Sequence, residues 1–233
     1  MATFNVLNYF PTTGEAFVAG GGSCSWYDDR AGNPITVNQC NPNGPRGAAD
    51  AINLARQTAK IVLAINSLDA SVVSLEELEN SAKFGEDRDF ALDYLVGELN
   101  DAAGADVWAA VPSPASLPAL ADEDVIRNAF IYKPGDVELV GESQILIGSP
   151  AFSNAREPLA QAFKPVGADH SNAFIAIVNH FKSKGSCPTE GVDTDQGDGQ
   201  GCWNAKRVAQ ATGLLDFITQ LQGMSNVILT PHV

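Results

Sequence analysis

Apolar positions recur along the chain with two periods. Thr3-Phe4-Asn5-Val6-Leu7 forms a short strand-like run, and Ser71 to Leu78 is a longer one, rich in β-branched and apolar residues. Further strands are expected at Val107–Val111, Val125–Tyr132, Val137–Ile147, Leu159–Phe163 and Phe174–Asn179, with a last one beginning at Asn226–Leu229. Helical spacing predicts three helices. Asp50 caps the first, which runs to about Asn66 with Ile52, Ala55, Ala59 and Val62 on one face. The second covers Asp89–Leu99 and aligns Leu92, Leu95 and Leu99, and the third covers Asn204–Leu221 and aligns Val208, Ala211, Leu215 and Ile218. Residues 11–48 are rich in Gly, Asn and Pro without sustained periodicity and read as a long loop; residues 185–201 form a second, Gly/Asp-rich one. No internal repeat is visible. This order fits two sheets packed face to face with helices outside, although other α/β layouts satisfy the pattern equally well.

Length and composition narrow the class. A chain of 233 residues, 45% hydrophobic, can bury the core of one large domain, so 1–233 is taken as a single unit. No run approaches the ~20 apolar residues of a membrane helix. Met1-Ala2 leads straight into a strand, without a basic segment and apolar stretch. The chain is therefore expected to be intracellular or to have lost its leader. The cysteines favour the second option. Cys24 and Cys40 lie in one polar loop, Cys187 and Cys202 in the other. Of three possible connectivities, local pairing would staple both loops. Buried or free thiols are the alternative, and zinc-type C-x-x-C spacing is absent. Disulfides imply an oxidising compartment, secreted, extracellular or periplasmic. The net charge of −14 has the wrong sign for a nucleic-acid partner. Solubility in a salty medium would explain it, and bound divalent cations would alter the potential locally.

Three apolar strands contain or end in a polar residue that burial does not explain. Asn5 interrupts Phe4 and Val6, Val72-Val73-Ser74-Leu75-Glu76 leads to Glu77, and Phe174 to Asn179 leads to His180. Alternation puts Glu77 on the face of Val73 and Leu75, and His180 on the face of Phe174, Ala176 and Val178. An acid and a histidine ending core-facing rows are candidates for a site at a sheet rim. The plainer readings are a turn residue for Asn5, a solvated strand end for Glu77 and a hydrogen-bonded core histidine for His180. In the second loop, Asp193, Asp195 and Asp198 cluster carboxylates that could hold Ca²⁺, though without EF-hand spacing. A solvated acidic loop is the alternative.

Six segments, in order, change the estimate. Thr3-Phe4-Asn5-Val6-Leu7-Asn8-Tyr9-Phe10, Leu75-Glu76-Glu77-Leu78-Glu79-Asn80, Ile126-Arg127-Asn128-Ala129-Phe130-Ile131-Tyr132-Lys133 and Asn179-His180-Phe181-Lys182-Ser183-Lys184-Gly185 resemble the endonuclease/exonuclease/phosphatase family. Phe152-Ser153-Asn154-Ala155-Arg156-Glu157-Pro158-Leu159 and Gly197-Asp198-Gly199-Gln200-Gly201-Cys202-Trp203-Asn204 resemble its secreted bacterial nuclease branch. The resemblance implies a four-layered α/β sandwich of the deoxyribonuclease type with the site between the tops of two sheets. It implies Mg²⁺ (or Mn²⁺) bound by Glu77, with Asn5 completing or orienting the metal shell. It implies phosphate contacts from His180 and Arg156, and support from Arg127 through Asp124. The expected substrate is nucleic acid, DNA foremost; neither a membrane nor a protein partner is expected.

One departure matters. After Val227-Ile228-Leu229 the family has Gly-Asp-x-Asn, where this chain reads Thr230-Pro231-His232-Val233. A second family histidine near the C-terminus has no match either. The sequence is therefore expected to be a truncated or altered member, incomplete at its C-terminus and weak or inactive as it stands. A phosphatase or phospholipase of the same fold, or a catalytically dead metal-binding or interaction fragment, is the competing expectation.

Overall fold

The computed structural model describes residues 1–224; the expected strand Asn226–Leu229 and Thr230 to Val233 lie outside them. The chain forms β1 (Ala2–Tyr9), α1 (Gly14–Ala19), β2 (Ser23–Asp28), β3 (Pro34–Asn41), α2 (Ala51–Ser67), β4 (Val72–Glu79), α3 (Phe90–Ala103), β5 (Ala109–Ala110), β6 (Ile126–Tyr132), β7 (Val137–Ile145), β8 (Arg156–Pro165), β9 (Phe174–His180) and α4 (Asn204–Met224). One sheet has the order β1-β4-β6-β5, a second is the meander β7-β8-β9, and β2-β3 is a separate hairpin. β1 and β4 are parallel, joined by the α2 crossover, and β4 pairs antiparallel with β6.

Strand alternation sorts the apolar residues into layers. Val73 and Leu75 of β4 pack with Ile61 and Ile65 of α2 and Leu92, Leu95 and Leu99 of α3. The other face, through Val72 and Phe130, meets Leu159, Phe163, Ala176 and Val178 of the second sheet. The far face of that sheet, Ala160, Ile175 and Ile177, is covered by Phe217 and Leu221 of α4. The result is the expected mixed α/β sandwich with layers in the order helix, sheet, sheet, helix. Strands buried on both faces explain why β4 and β6 read as continuous apolar runs.

Three expectations need correction. The buried stripe of α2 is Leu54, Thr58, Ile61, Val62 and Ile65; of the expected face only Val62 is buried, and Ile52, Ala55 and Ala59 face solvent. In α4 the covered stripe is Gln210, Phe217 and Leu221, with Val208 60% and Leu215 64% exposed. Both helices carry apolar residues on more than one side, and the sheet each packs against decides which side is covered. Residues 11–48 are also not a bare loop. They hold α1 and the β2-β3 hairpin, with Cys24 directly opposite Cys40 in the ladder. Disulfides join Cys24 to Cys40 and Cys187 to Cys202, as local pairing predicts. No helix among the described residues is long and apolar enough to cross a membrane.

The seam between the sheets turns on Phe163, fully buried and in contact with Phe130, Tyr132 and Phe174 at centroid separations of 5.9, 6.1 and 5.8 Å. Phe163→Ala is expected to destabilise the chain by roughly 3–5 kcal/mol, the range for emptying an aromatic site. Denaturant unfolding of the two proteins measures this; a loss below ~1 kcal/mol would mean that the seam collapses around the gap.

Candidate active site

The antiparallel pairs set the geometry. β4 and β9 end at the rim where β6 and β8 begin, so their terminal residues face one another. Strict alternation would turn Glu77 toward α2 and α3 with Val73 and Leu75. Instead the β4-β6 register shifts between Leu75 and Leu78, and Glu77 adopts φ +64°. This β-bulge redirects its carboxylate across the seam. Glu77 Oε1 lies 3.5 Å from His180 Nε2 in the opposite sheet.

A left-handed glutamate costs about 1–2 kcal/mol, so neighbouring groups must hold it. The Asn8 backbone N–H donates to Glu77 Oε2 at 3.2 Å. Asn8 and Leu7 are themselves left-handed, both with φ 52°. Gln57 of α2 clamps that segment, donating to the carbonyls of Leu7 at 2.9 Å and Val6 at 3.3 Å. A helix side chain thus fixes a kink in β1, and the kink positions the carboxylate in β4.

Arg156 stands opposite His180 in the β8-β9 ladder. Its Nη2 and Nε lie 2.8 and 3.2 Å from His180 Nδ1. A guanidinium only donates, so Nδ1 accepts and the proton of the neutral ring sits on Nε2, facing Glu77. Burial first, and then the charge of Arg156, pushes the His180 pKa below its ordinary value; Glu77 and Asp124 offset this only in part. At neutral pH the ring is an uncharged N–H donor aimed into the cleft.

Asp124, just before β6, accepts from Arg156 Nη1 at 3.3 Å and binds Arg46 through two contacts of 2.7 and 3.2 Å. Arg46 follows the hairpin. Gly47 lets that segment pass β1 closely: a Cβ there would lie 2.8 Å from the Asn8 carbonyl oxygen. Sequence reasoning missed Arg46, because one arginine in Asn-Gly-Pro-Arg-Gly carries no pattern.

Arg127 does not act through Asp124. Its guanidinium reaches Asp89 at 2.7 Å and Ser113 Oγ at 3.2 Å, buried beneath the rim. Burial raises the Asp89 pKa, but the Arg127 charge and the two Ser113 hydrogen bonds outweigh it and leave the carboxyl below its usual range. Arg127 therefore braces the floor of the site.

Asn5 is not joined to this cluster. Its exposed amide oxygen accepts the Leu7 N–H at 2.8 Å, the turn-residue role, although its backbone pairs with Glu76 beside Glu77. In the acidic loop each of the three carboxylates is engaged locally. Asp193 accepts the Lys206 N–H at 2.8 Å in the first turn of α4, Asp195 the Gly197 N–H at 3.0 Å, and Asp198 the Gln200 N–H at 2.9 Å. These carboxylates close turns and do not converge, and no group of three His, Cys, Asp or Glu gathers as a cation cage among the described residues.

The His180 assignment makes a titration prediction. By NMR its imidazole should titrate below the ordinary value of 6.5, and Glu77→Gln, by removing a charge that favours the imidazolium, should lower the midpoint further. In the unfolded chain the ring takes up its proton first. The wild type should therefore lose stability as pH falls through about 6.5 toward the folded midpoint, a loss absent from His180→Gln. A midpoint at or above 6.5 would show that the ring is not buried against Arg156.

No family model and no curated protein matches the sequence. Among solved structures it is similar to ANGEL2, a 2',3'-cyclic phosphatase, in complex with adenosine-2',3'-vanadate, at 12% identity and TM-score 0.47, over 94% of this chain and 47% of that one. It is similar to D. rerio TDP2 complexed with single-strand DNA product at 18% identity and TM-score 0.42, over 73% and 50% of the two chains. The human Nocturnin catalytic domain with bound sulfate gives 14% identity and TM-score 0.42, over 73% and 54%. The chain spans about half the length of these structures. At these scores the likeness is one of outline, and the functional reading rests on the side chains at the rim.

Proposed function

We propose that this chain carries the phosphate-binding half of a metal-dependent phosphodiesterase site, acting on nucleic acid, DNA foremost, in the manner of secreted endonuclease/exonuclease/phosphatase-type nucleases. One observation carries the reading: a carboxylate, an uncharged imidazole N–H and a guanidinium from three separate segments meet across two sheets, Glu77–His180 at 3.5 Å and His180–Arg156 at 2.8 Å. The sequence resemblance named all three, together with Asp124, which binds Arg156, and Asn5 and Arg127, which lie apart from them. The two disulfides support an extracellular or periplasmic setting. The chain is read as a single domain.

Each side chain has a chemical task. Arg156, kept in place by Asp124, supplies fixed positive charge for a phosphoryl oxygen. His180 donates Nε2–H to a non-bridging or leaving oxygen, while its basic nitrogen, Nδ1, is occupied by Arg156. Glu77 fits Mg²⁺ or Mn²⁺: Oε2 takes one backbone N–H, while Oε1 has only the long His180 contact and keeps its lone pairs available. Mg²⁺ commonly takes one or two carboxylates and several waters. When bound it would stabilise charge on the phosphoryl and leaving oxygens. Asn5 would have to release Leu7 to join that shell. No residue described here is assigned to water activation, because Gly-Asp-x-Asn does not occur in the 233 residues.

Two readouts test the proposal. Mn²⁺ binding followed by EPR should be detectable in the 233-residue chain and lost in Glu77→Ala. Nicking of supercoiled plasmid with Mg²⁺ should be very slow. It should rise by about 10²–10⁴-fold in a polypeptide continued through a Gly-Asp-x-Asn segment, the usual contribution of one acid–base group. Both Glu77→Ala and His180→Ala should erase that gain. Nicking that survives Glu77→Ala would place the chemistry elsewhere, and unchanged Mn²⁺ binding in that variant would remove Glu77 as a ligand.

A further inference from the structure

Beside the rim lies a groove of about 890 Å³, bounded by β1, the β2-β3 hairpin and α2. Its charge is the reverse of the chain's. The sequence has 28 Asp and Glu against 14 Lys and Arg, yet the groove wall contains Arg46, Arg56 and Lys60 and no carboxylate. Arg56 and Lys60 are exposed on α2, four residues and so about 6 Å apart along the axis, a step comparable with that between successive phosphates in an extended strand. Tyr27, 59% exposed, stands on the hairpin wall with Ile35. The groove abuts the catalytic rim at two points. Arg46 holds Asp124, and Asn8, whose N–H holds Glu77, lies in the groove wall.

We propose that this groove is the track for a single-stranded nucleic acid whose scissile phosphate sits at Glu77 and His180. The inference rests on the phosphodiesterase reading and adds the substrate's form and path. Arg56 and Lys60 neutralise backbone phosphates, Arg46 being already paired with Asp124, and Tyr27 offers a face on which an unpaired base stacks. A duplex hides its base faces and gains nothing from Tyr27. The same arrangement resolves the charge conflict: an acidic protein binds a polyanion through one local stripe from which acids are excluded.

Binding is measurable without catalysis. Fluorescence anisotropy with a labelled twelve-nucleotide oligothymidine in EDTA reads the groove alone, so its outcome is independent of whether the rim hydrolyses anything. The dissociation constant should rise with salt with a log–log slope of about 1.4, from ~0.7 per contact on single strands and two unpaired cations. Lys60→Glu should weaken binding at least tenfold, and Arg56→Glu with Lys60→Glu should abolish it. Lys164→Glu, the same charge change on β8, should leave binding within twofold. Tyr27→Ala should cost roughly tenfold, the scale of one lost stacked base. Circular-dichroism melting checks that each variant is folded. Equal loss in Lys60→Glu and Lys164→Glu would show that affinity follows net charge and would overturn the proposal. Duplex of the same length binding as tightly, or polyglutamate displacing the oligonucleotide equally well, would also overturn it.

Discussion

Phe130 and Phe163 meet edge to face, 5.9 Å between centroids, at the middle of the seam between the sheets. Around them Val72, Leu159, Ala176 and Val178 pack an apolar interior, where desolvating a polar group costs more than a single contact returns. Chemistry on this scaffold is therefore confined to where the seam opens. The antiparallel β4-β6 and β8-β9 pairs then decide which residues arrive there: the ends of β4 and β9, and the residues at the starts of β6 and β8. Glu77, His180, Asp124 and Arg156 are those residues. Their proximity follows from the packing of phenylalanines some distance away.

The rim also shows how backbone strain is placed. Leu7, Asn8 and Glu77 all have positive φ without being glycine, and all three lie within one hydrogen-bonded patch. Spread singly, such residues would weaken their strands. Together they support one another: Gln57 fixes the carbonyls of the kinked β1 segment, and the kink presents Asn8 N–H to the redirected carboxylate. Strain held by surrounding structure is the usual cost of aiming a side chain against the local strand pattern. Here it converts a residue that alternation would bury under helices into one that faces the opposite sheet.

Much of the fold was readable because strong patterns had little competition. The α3 leucines allow one buried stripe, and strands buried on both faces announce themselves as apolar runs. The α2 and α4 stripes were misplaced because each helix offers two apolar faces, and only the neighbouring sheet decides between them. The hairpin of residues 23–41 was hidden by its polar composition; with little core of its own, it depends on cross-strand pairing and the Cys24–Cys40 bond. His180 was placed on the correct face by counting. Glu77 was assigned to the correct rim but to the wrong face, because a bulge lies in the pairing and not in the residue types. Arg46 was invisible, since a lone loop arginine becomes informative only when Asp124 is found opposite it.

Charge completes the picture at a longer range. A chain of net charge −14 repels polyanions, yet at physiological salt that repulsion decays over about 8 Å. Beyond one such length, a phosphate strand barely senses the carboxylates on distant faces. Within it the nearest side chains count most, and in the groove wall the charged ones are Arg56, Lys60 and Arg46, the last paired with Asp124. Low salt would extend the repulsion and slow encounter, whereas very high salt would remove the local attraction as well. The basic residues of the groove lie on the side that leads to Glu77 and His180. Overall charge bears on solubility, and the local distribution bears on encounter with a charged partner.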